Sequence, residues 1–149
     1  MAAIDNIVLT ALENIVGPDR VLTGTEDLQR YGCDWTRVYT PNPAAVVLPD
    51  SIEQVQEIVR LAAREGLAIV PSGGRTGLSG GAVASNGELV LALDRLNYVE
   101  DFSSIDRTVR CGAGAVTEQV QQYAMERGLF YPVDFASSGS SQIGGNVST

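Results

Sequence analysis

The sequence contains no histidine among its 149 residues. Histidine is the usual general base of Ser-His-Asp and Cys-His catalytic sites, and it is also the commonest metal ligand in proteins. Its absence excludes both kinds of nucleophilic catalysis within this chain. We therefore assign no catalytic residue of that kind, and we expect no metal site.

Cysteine is also scarce. Cys33 and Cys111 lie far apart, and neither belongs to a C-x-x-C pair. This spacing excludes a zinc site or a dithiol redox motif built from them. We expect two reduced, partly buried thiols, as is usual for a cytoplasmic protein.

Basic residues are few. There are 10 lysines and arginines against 18 aspartates and glutamates, a formal net charge of -8. This balance argues against binding to nucleic acid or to anionic lipid, since both need a basic surface. No apolar run approaches the roughly 20 residues of a membrane span. The N-terminal segment has Asp5 and no basic region, so we expect no signal peptide and a cytoplasmic location.

The hydrophobic content of 44% is enough for the core of one ordinary domain. Apolar residues at helical spacing predict a helix over residues 5–16, which Gly17-Pro18 ends. A short apolar strand is predicted at 44–48. A helix follows it, with Asp50 or Ser51 as its N-cap and Gly66 as the C′ residue that ends it, and a second strand is predicted at 67–70. Strand, helix and strand in this order favour a parallel pair with a right-handed crossover.

The polar segment 24–43 contains two prolines. We expect it to be a linker that crosses the surface, with three side chains acting as anchors in the core. These are Leu28, Tyr31 and Trp35.

The second half of the chain predicts a similar plan. Strands are expected at 88–93 and 107–111, with a polar turn at 101–106 between them. A helix is expected over 116–127, with Thr117 as its N-cap.

Residues 71–82 read PSGGRTGLSGGA and contain five glycines in twelve positions. One interpretation is a tight connection between strands. The other is an anion cradle, because glycines let successive backbone N–H groups converge on phosphate oxygens. The hydroxyls of Thr76 and Ser79 add donors to such a cradle. Arg75 either adds charge or faces solvent.

Two common phosphate-binding motifs do not match this loop. The Rossmann fingerprint G-x-G-x-x-G is absent, because Gly74, Gly77 and Gly80 are spaced three and three. No Lys-Ser/Thr pair follows the last glycine, so the loop is not a P-loop. A P-loop kinase and a standard nicotinamide-binding fold are therefore disfavoured.

The loop at 71–82 resembles the pyrophosphate-binding loop of the vanillyl-alcohol oxidase type (PCMH-type) of FAD-binding domain. The segment SSGSSQIGGNVST at 137–149 resembles the second flavin loop of that family, and Pro132-Val133-Asp134 ahead of it also fits. The resemblance covers residues 40–149 and is strongest to the D-lactate, glycolate and D-2-hydroxyglutarate dehydrogenases, which are FAD-linked oxidases.

The resemblance implies an α+β fold of two α/β subdomains with FAD between them. Residues 1–39 would be an N-terminal helix and linker, 40–100 the first subdomain, and 101–149 the start of the second. Family members run to several hundred residues, so we expect a fragment whose second subdomain is truncated at the C-terminus. The substrate and catalytic groups would lie outside it, and its FAD retention would be weak.

The resemblance also implies which residues contact FAD, mostly through their backbone N–H groups. Those of the first loop would line the diphosphate: Pro71, Gly73, Gly74, Arg75, Thr76, Gly77, Leu78, Ser79 and Gly80. Those near the second loop would contact the rest of the cofactor: Pro132, Ser138, Gly139, Ser141, Ile143, Gly144, Gly145 and Asn146. Some family members tether flavin through histidine, so a chain without histidine implies noncovalent FAD.

The implied activity is oxidation of a small 2-hydroxy acid by hydride transfer to FAD. Asp94, Asp101 and Asp106 are interpreted as surface or cap residues, whereas a cofactor role is left open for Asp134. Tyr131 and Phe135 are interpreted as packing residues. Two alternatives are a non-catalytic module that binds a nucleotide or a partner, and a flavin reductase acting on a nucleotide-sugar. The sequence of residues 143–146 favours the hydroxy-acid enzymes over that reductase.

Overall fold

A computed structural model describes residues 4–148 and shows a mixed arrangement of helices and strands. The helices are α1 (Asn6–Val16), α2 (Thr25–Tyr31), α3 (Ile52–Glu65), α4 (Thr117–Met125) and α5 (Ile143–Ser148). The strands are β1 (Val21–Leu22), β2 (Ala45–Val47), β3 (Ile69–Ser72), β4 (Leu89–Ala92), β5 (Val99–Ser103) and β6 (Thr108–Cys111).

The first four strands form one sheet in the order β1-β2-β4-β3. β2 and β3 both run parallel to β4, with Val46 and Val70 each paired to Val90, while β1 is antiparallel to β2. The predicted strands β2 and β3 are thus parallel, but the expectation that they pair with each other is wrong. β4 lies between them because all of its residues are buried, as a central strand requires. Pro71 in β3 is tolerated at the edge of the sheet.

Both predicted helices of the first half are confirmed, with one difference: Asp5, expected within the first helix, precedes α1 as its N-cap. Asp5 caps α1 by accepting hydrogen bonds from the N–H groups of Ile7 and Val8. Ser51 caps α3, and Gly66 ends it in the left-handed conformation at φ 66°. These helices pack on the sheet through one apolar cluster. Its buried members are Val8, Leu12, Val16, Ala45, Val47, Ile58, Leu61, Leu89 and Leu91.

The interpretation of residues 24–43 as a linker without regular structure is wrong in part, because α2 occupies its start. Tyr31 at the end of α2 is buried, and Leu28 packs against a second apolar cluster on the sheet, so both are anchors as expected. Trp35 is not an anchor, because 72% of it is exposed. Its backbone instead joins a polar segment that contacts the glycine loop.

β5 and β6 form an antiparallel hairpin, which places residues 101–103 in a strand rather than in the predicted turn. The helix expected over 116–127 is confirmed as α4, but Thr117 is its first helical residue and not its N-cap. The hydroxyl of Thr117 points to the second loop instead of capping its own helix. α5 was missed because its two glycines are poor helix formers.

No helix within residues 4–148 combines the length and the apolar character that a membrane crossing needs.

Candidate functional site

The glycine loop begins where β3 ends, at the carboxyl edge of the parallel strands. Ser72 is completely buried there, with its hydroxyl donating to the backbone oxygen of Tyr31 and its own carbonyl accepting from the N–H of Leu93. Ligands of open parallel sheets bind outside this edge, where the loops that follow the strands converge. The fold therefore places the loop at the position where a ligand is expected.

The loop carries a run of unused hydrogen-bond donors. No residue in the described range 4–148 accepts a hydrogen bond from the backbone N–H groups of residues 74–79. Within this run Arg75 has a left-handed backbone, at φ 58°. Where successive residues alternate between right-handed and left-handed backbone conformations, their N–H groups form a concave nest that binds anions. The donor set therefore suits a phosphate group.

The side chain of Arg75 neither faces solvent nor extends toward the outer face of the loop. Its guanidinium forms a two-pronged ion pair with Asp94, at 3.2 Å from Nη1 to Oδ2 and 2.9 Å from Nη2 to Oδ1. It also lies over the ring of Tyr31, with 4.9 Å between Cζ and the ring centroid. The interpretation of Asp94 as a solvated surface residue or a cap is therefore wrong. Asp94 directly follows the expected strand at 88–93, but its pairing with Arg75 leaves no signal in local sequence.

A short segment after α2 supports the loop from the other side. Asp34 is buried, and its Oδ2 accepts a hydrogen bond from the N–H of Gly80 at 3.1 Å. The N–H of Trp35 donates to the carbonyl of Gly77 at 3.2 Å. Sequence reasoning missed Asp34, although D-W-T has the spacing of an Asx-turn that would have signalled a local turn.

The charge of Asp34 is stabilised by this geometry. The hydroxyl of Thr36 donates to Oδ1 at 2.7 Å and lowers the pKa of Asp34 below its ordinary value. Burial opposes this effect, and the backbone N–H groups of Gly80, Arg37 and Thr36 reinforce it. The carboxylate therefore remains ionised at neutral pH while it holds the end of the glycine loop.

Most backbone N–H groups of the second loop donate to carbonyls of residues 113–142. The N–H groups of Ser138, Ser140 and Ser141 donate to carbonyls of the same turn, at Phe135 and Ser137. The N–H groups of Ile143 and Gly144 donate to Ala115 and Ala113. Few of its backbone donors remain for a ligand in this conformation.

The buried hydroxyl of Thr117, at the start of α4, forms hydrogen bonds with the second loop. Its hydroxyl lies 2.8 Å from the hydroxyl of Ser141 and accepts a hydrogen bond from Nδ2 of Asn146 at 2.6 Å. The side chains of Ser141 and Asn146, both predicted to contact a cofactor, are therefore directed to Thr117 instead. Their backbone contacts with a ligand stay a prediction.

The two loops meet at Gly73 and Gly74. A Cβ on Gly74 would lie 2.2 Å from the carbonyl oxygen of Ser140, and a Cβ on Gly73 would lie 3.2 Å from Oε1 of Gln142. Glycine at 74 is therefore required by the close approach of another backbone. Sequence reasoning missed Gln142, which is buried at the junction and whose Oε1 has no hydrogen-bond partner among the described residues.

The other predicted residues take varied positions. Thr76 is half-buried, whereas Gly77, Leu78 and Ser79 are exposed along the outer part of the first loop. Pro71 and Pro132 are exposed, as are Gly139, Gly145, Asp134 and Phe135. Phe135 is exposed, which disagrees with its interpretation as a packing residue. Tyr131 is half-buried beside a cleft between β6 and α4. That cleft lies away from both loops.

The profile of the FAD binding domain family matches residues 43–149. The D-2-hydroxyglutarate dehydrogenase of Stutzerimonas stutzeri (strain A1501) is 54% identical over 145 residues, which cover 97% of this chain and 31% of that protein. The mitochondrial D-2-hydroxyglutarate dehydrogenase of Bos taurus is 37% identical over 141 residues, covering 95% of this chain and 26% of that protein. The chain thus spans less than a third of the length of these relatives.

Solved structures share the fold at low sequence identity. An alkyldihydroxyacetonephosphate synthase superposes with a TM-score of 0.89 at 20% identity, covering 98% of this chain and 29% of that one. p-Cresol methylhydroxylase with substrate bound gives a TM-score of 0.77 at 20% identity, covering 95% of this chain and 28% of that one. The α+β fold expected from the two loops is confirmed.

Proposed function

We propose that this chain, which belongs to the FAD binding domain family, is the flavin-binding portion of a longer dehydrogenase. That dehydrogenase would oxidise a D-2-hydroxy acid. The run of unused N–H groups at residues 74–79, at the carboxyl edge of the parallel sheet, is the single observation that supports this most strongly. A diphosphate is the part of FAD that such donors suit.

The described residues fit FAD at the first loop. The N–H groups of residues 74–79 would hold the diphosphate, and the exposed hydroxyl of Ser79 adds a further donor there. FAD, when bound, supplies the acceptor for the hydride that leaves the substrate. The residues of this chain bind and orient the cofactor, and we assign none of them to proton transfer.

Noncovalent binding is part of the proposal. The chain has no histidine to form a covalent link to flavin. Arg75 stands in the middle of the loop with its side chain directed inward, toward Asp94. Affinity would therefore come from backbone N–H groups and from the packing of the two loops.

The proposed substrate is D-2-hydroxyglutarate. The support is that the relatives at 54% and 37% identity are both D-2-hydroxyglutarate dehydrogenases. The division into subdomains at 40–100 and 101–149 stays part of the proposal, although its boundary falls within β5 (Val99–Ser103).

Substitution at two matched glycines tests the cofactor site. A Cβ on Gly77 or on Gly81 would meet no atom within 4 Å, and neither residue has a positive φ. Neither glycine is therefore required by the fold of the described residues. Gly77 lies within the run of unused N–H groups at residues 74–79, whereas Gly81 lies beyond Gly80, whose N–H is bonded to Asp34. We therefore expect only a side chain at position 77 to enter the space proposed for the diphosphate.

We expect the intact protein with Gly77→Val to lose most of its bound flavin, and Gly81→Val to retain it. The measurement is flavin absorbance per protein after purification and after incubation with FAD. If Gly77→Val kept normal flavin content, the first loop would not be the diphosphate site. A colourless wild-type protein that takes up no added FAD would instead support a non-catalytic module.

A further inference from the structure

We infer that Arg75 and Asp94 are a positioning pair that holds the first loop in its anion-binding shape, without either side chain touching the anion. The inference rests on the proposed function, because it assumes that the diphosphate of FAD binds to the N–H groups of residues 74–79. It assigns to Arg75 a role different from the charge contact that its place in a phosphate loop suggests.

The guanidinium of Arg75 is occupied on the inner side of the loop. Nη1 donates to Oδ2 of Asp94 at 3.2 Å and contacts the hydroxyl of Ser72 at 3.3 Å, while Nη2 donates to Oδ1 of Asp94 at 2.9 Å. Ser72 and Tyr31, which flank the guanidinium, are both buried. A two-pronged pair of this kind fixes orientation as well as distance.

The backbone of Arg75 explains why a fixed orientation matters. Its φ of 58° is uncommon for a residue that carries a Cβ. Glycine adopts this conformation readily, and glycines stand at positions 73, 74 and 77 around it. An arginine at the left-handed position therefore indicates that its side chain contributes what glycine lacks, namely a link to Asp94.

Asp94 connects three parts of the site. It follows β4, the strand beside β3, so its pair with Arg75 ties the first loop to the neighbouring strand. Nε2 of Gln142 in the second loop also lies 3.5 Å from Oδ1 of Asp94, a long contact. The loss of this carboxylate would release the first loop and weaken its junction with the second.

Electrostatics and positioning predict effects of opposite sign for Asp94→Asn. If Arg75 acted by its charge, removal of the neighbouring negative charge would strengthen the binding of an anion. If the pair acts by positioning, the same substitution frees the loop and weakens binding. The sign of the change in FAD affinity therefore separates the two roles.

The experiment measures the Kd of FAD for the deflavinated intact protein by titration calorimetry and by quenching of flavin fluorescence. We expect Asp94→Asn to raise the Kd by about tenfold, since an unsupported left-handed residue is unfavourable. The matched control is Asp50→Asn, which removes the carboxylate of the Arg20–Asp50 ion pair, neither member of which bonds to a residue of the two loops. We expect its Kd to equal that of the wild type.

Two substitutions of Arg75 test whether the left-handed backbone conformation at residue 75 matters for FAD binding. Arg75→Gly and Arg75→Ala remove the same charge, but only glycine adopts the left-handed conformation freely. We expect Arg75→Gly to bind FAD several-fold more tightly than Arg75→Ala. A direct charge contact would instead leave the FAD affinity of Arg75→Gly well below that of the wild type and would lower the salt dependence of FAD binding in both variants.

The outcomes separate this inference from the proposed function. A wild-type protein that binds no FAD would reject the proposed function. A wild-type protein that binds FAD, with Asp94→Asn equal to it or tighter, would overturn the positioning pair and leave the proposed function standing. If Asp94→Asn failed to fold, the comparison of Arg75→Gly with Arg75→Ala would decide, and equal Kd values would overturn the inference.

Discussion

At the residue scale, glycines in one loop serve different physical purposes. Gly74 is required because the carbonyl of Ser140 leaves no room for a Cβ, whereas Gly80 has a left-handed backbone at φ 79°. Gly77, like Gly81, meets neither condition, so the fold of the described residues requires glycine at neither position. The close spacing of glycines in a sequence therefore marks a functional loop without showing which glycine contacts the ligand.

Asp34 acts at the same scale and makes the loop sensitive to acid. Its pKa is lowered in the folded protein, first by the hydroxyl of Thr36, so the charged form stabilises the fold. This contribution is present above the pKa of the unfolded state and is lost as pH falls through the folded pKa. The relevant window therefore lies below the ordinary aspartate value of 3.8.

We expect Asp34→Asn to lower the Tm of the 149-residue chain at pH 7, because the amide cannot accept all the hydrogen bonds of the carboxylate. The difference in Tm from the wild type should shrink as pH falls below 4. Thermal unfolding followed by circular dichroism from pH 7 to pH 3 measures it. A difference that stays constant over this range would show that ionisation of Asp34 does not stabilise the loop.

At the element scale, α4 and α5 are joined by one buried hydroxyl. Thr117 is fully buried and contacts both Ser141 and Asn146. Two short helices of 9 and 6 residues have little intrinsic stability, so this polar junction determines how the second loop is held. Buried polar groups that lose a partner carry a desolvation penalty.

We expect Thr117→Val to destabilise the 149-residue chain by about 1–3 kcal/mol, because Asn146 and Ser141 would lose their shared partner. Thr117→Ser keeps the hydroxyl and should cost clearly less. Urea unfolding with a common m-value measures both. A larger loss in Thr117→Ser than in Thr117→Val would mean that the methyl group, and not the hydroxyl, supports the junction.

At the scale of the whole molecule, the candidate site belongs to neither sheet alone. The first loop leaves the four-stranded sheet, while the second loop is fastened to α4 beside the β5–β6 hairpin. A two-stranded hairpin is marginally stable by itself in water. The contacts of Gly73 and Gly74 with residues 140–142 therefore bring the two loops together only when both parts are folded.

The fluorescence of Trp35 reports on this assembly, because Trp35 is the only tryptophan and its backbone N–H donates to the carbonyl of Gly77. We expect FAD to quench its fluorescence in the 149-residue chain with a Kd above about 1 μM, as most backbone donors of the second loop are already used. A titration corrected with N-acetyltryptophanamide measures this. Stoichiometric binding at submicromolar Kd would show that the second loop supplies more donors than this conformation has free.

The sequence by itself determined the features that depend on neighbours along the chain. The helices α1 and α3, the N-cap at Ser51 and the buried strands follow from apolar periodicity and local hydrogen bonding. The composition of residues 71–82 indicated an anion site, and its likeness to a known loop led to the fold and to FAD. These properties are local, so they are readable before the chain folds.

Only the tertiary structure decided which side chains support that loop. The insertion of β4 between β2 and β3, the pairing of Arg75 with Asp94, and the contact of Asp34 with Gly80 all join residues distant in sequence. The sequence places no constraint on these pairs, because a carboxylate has the same local pattern whether it faces water or an arginine. Their partners are set by how the sheet and the two loops pack, which is why Asp94 was misread and Gln142 was missed.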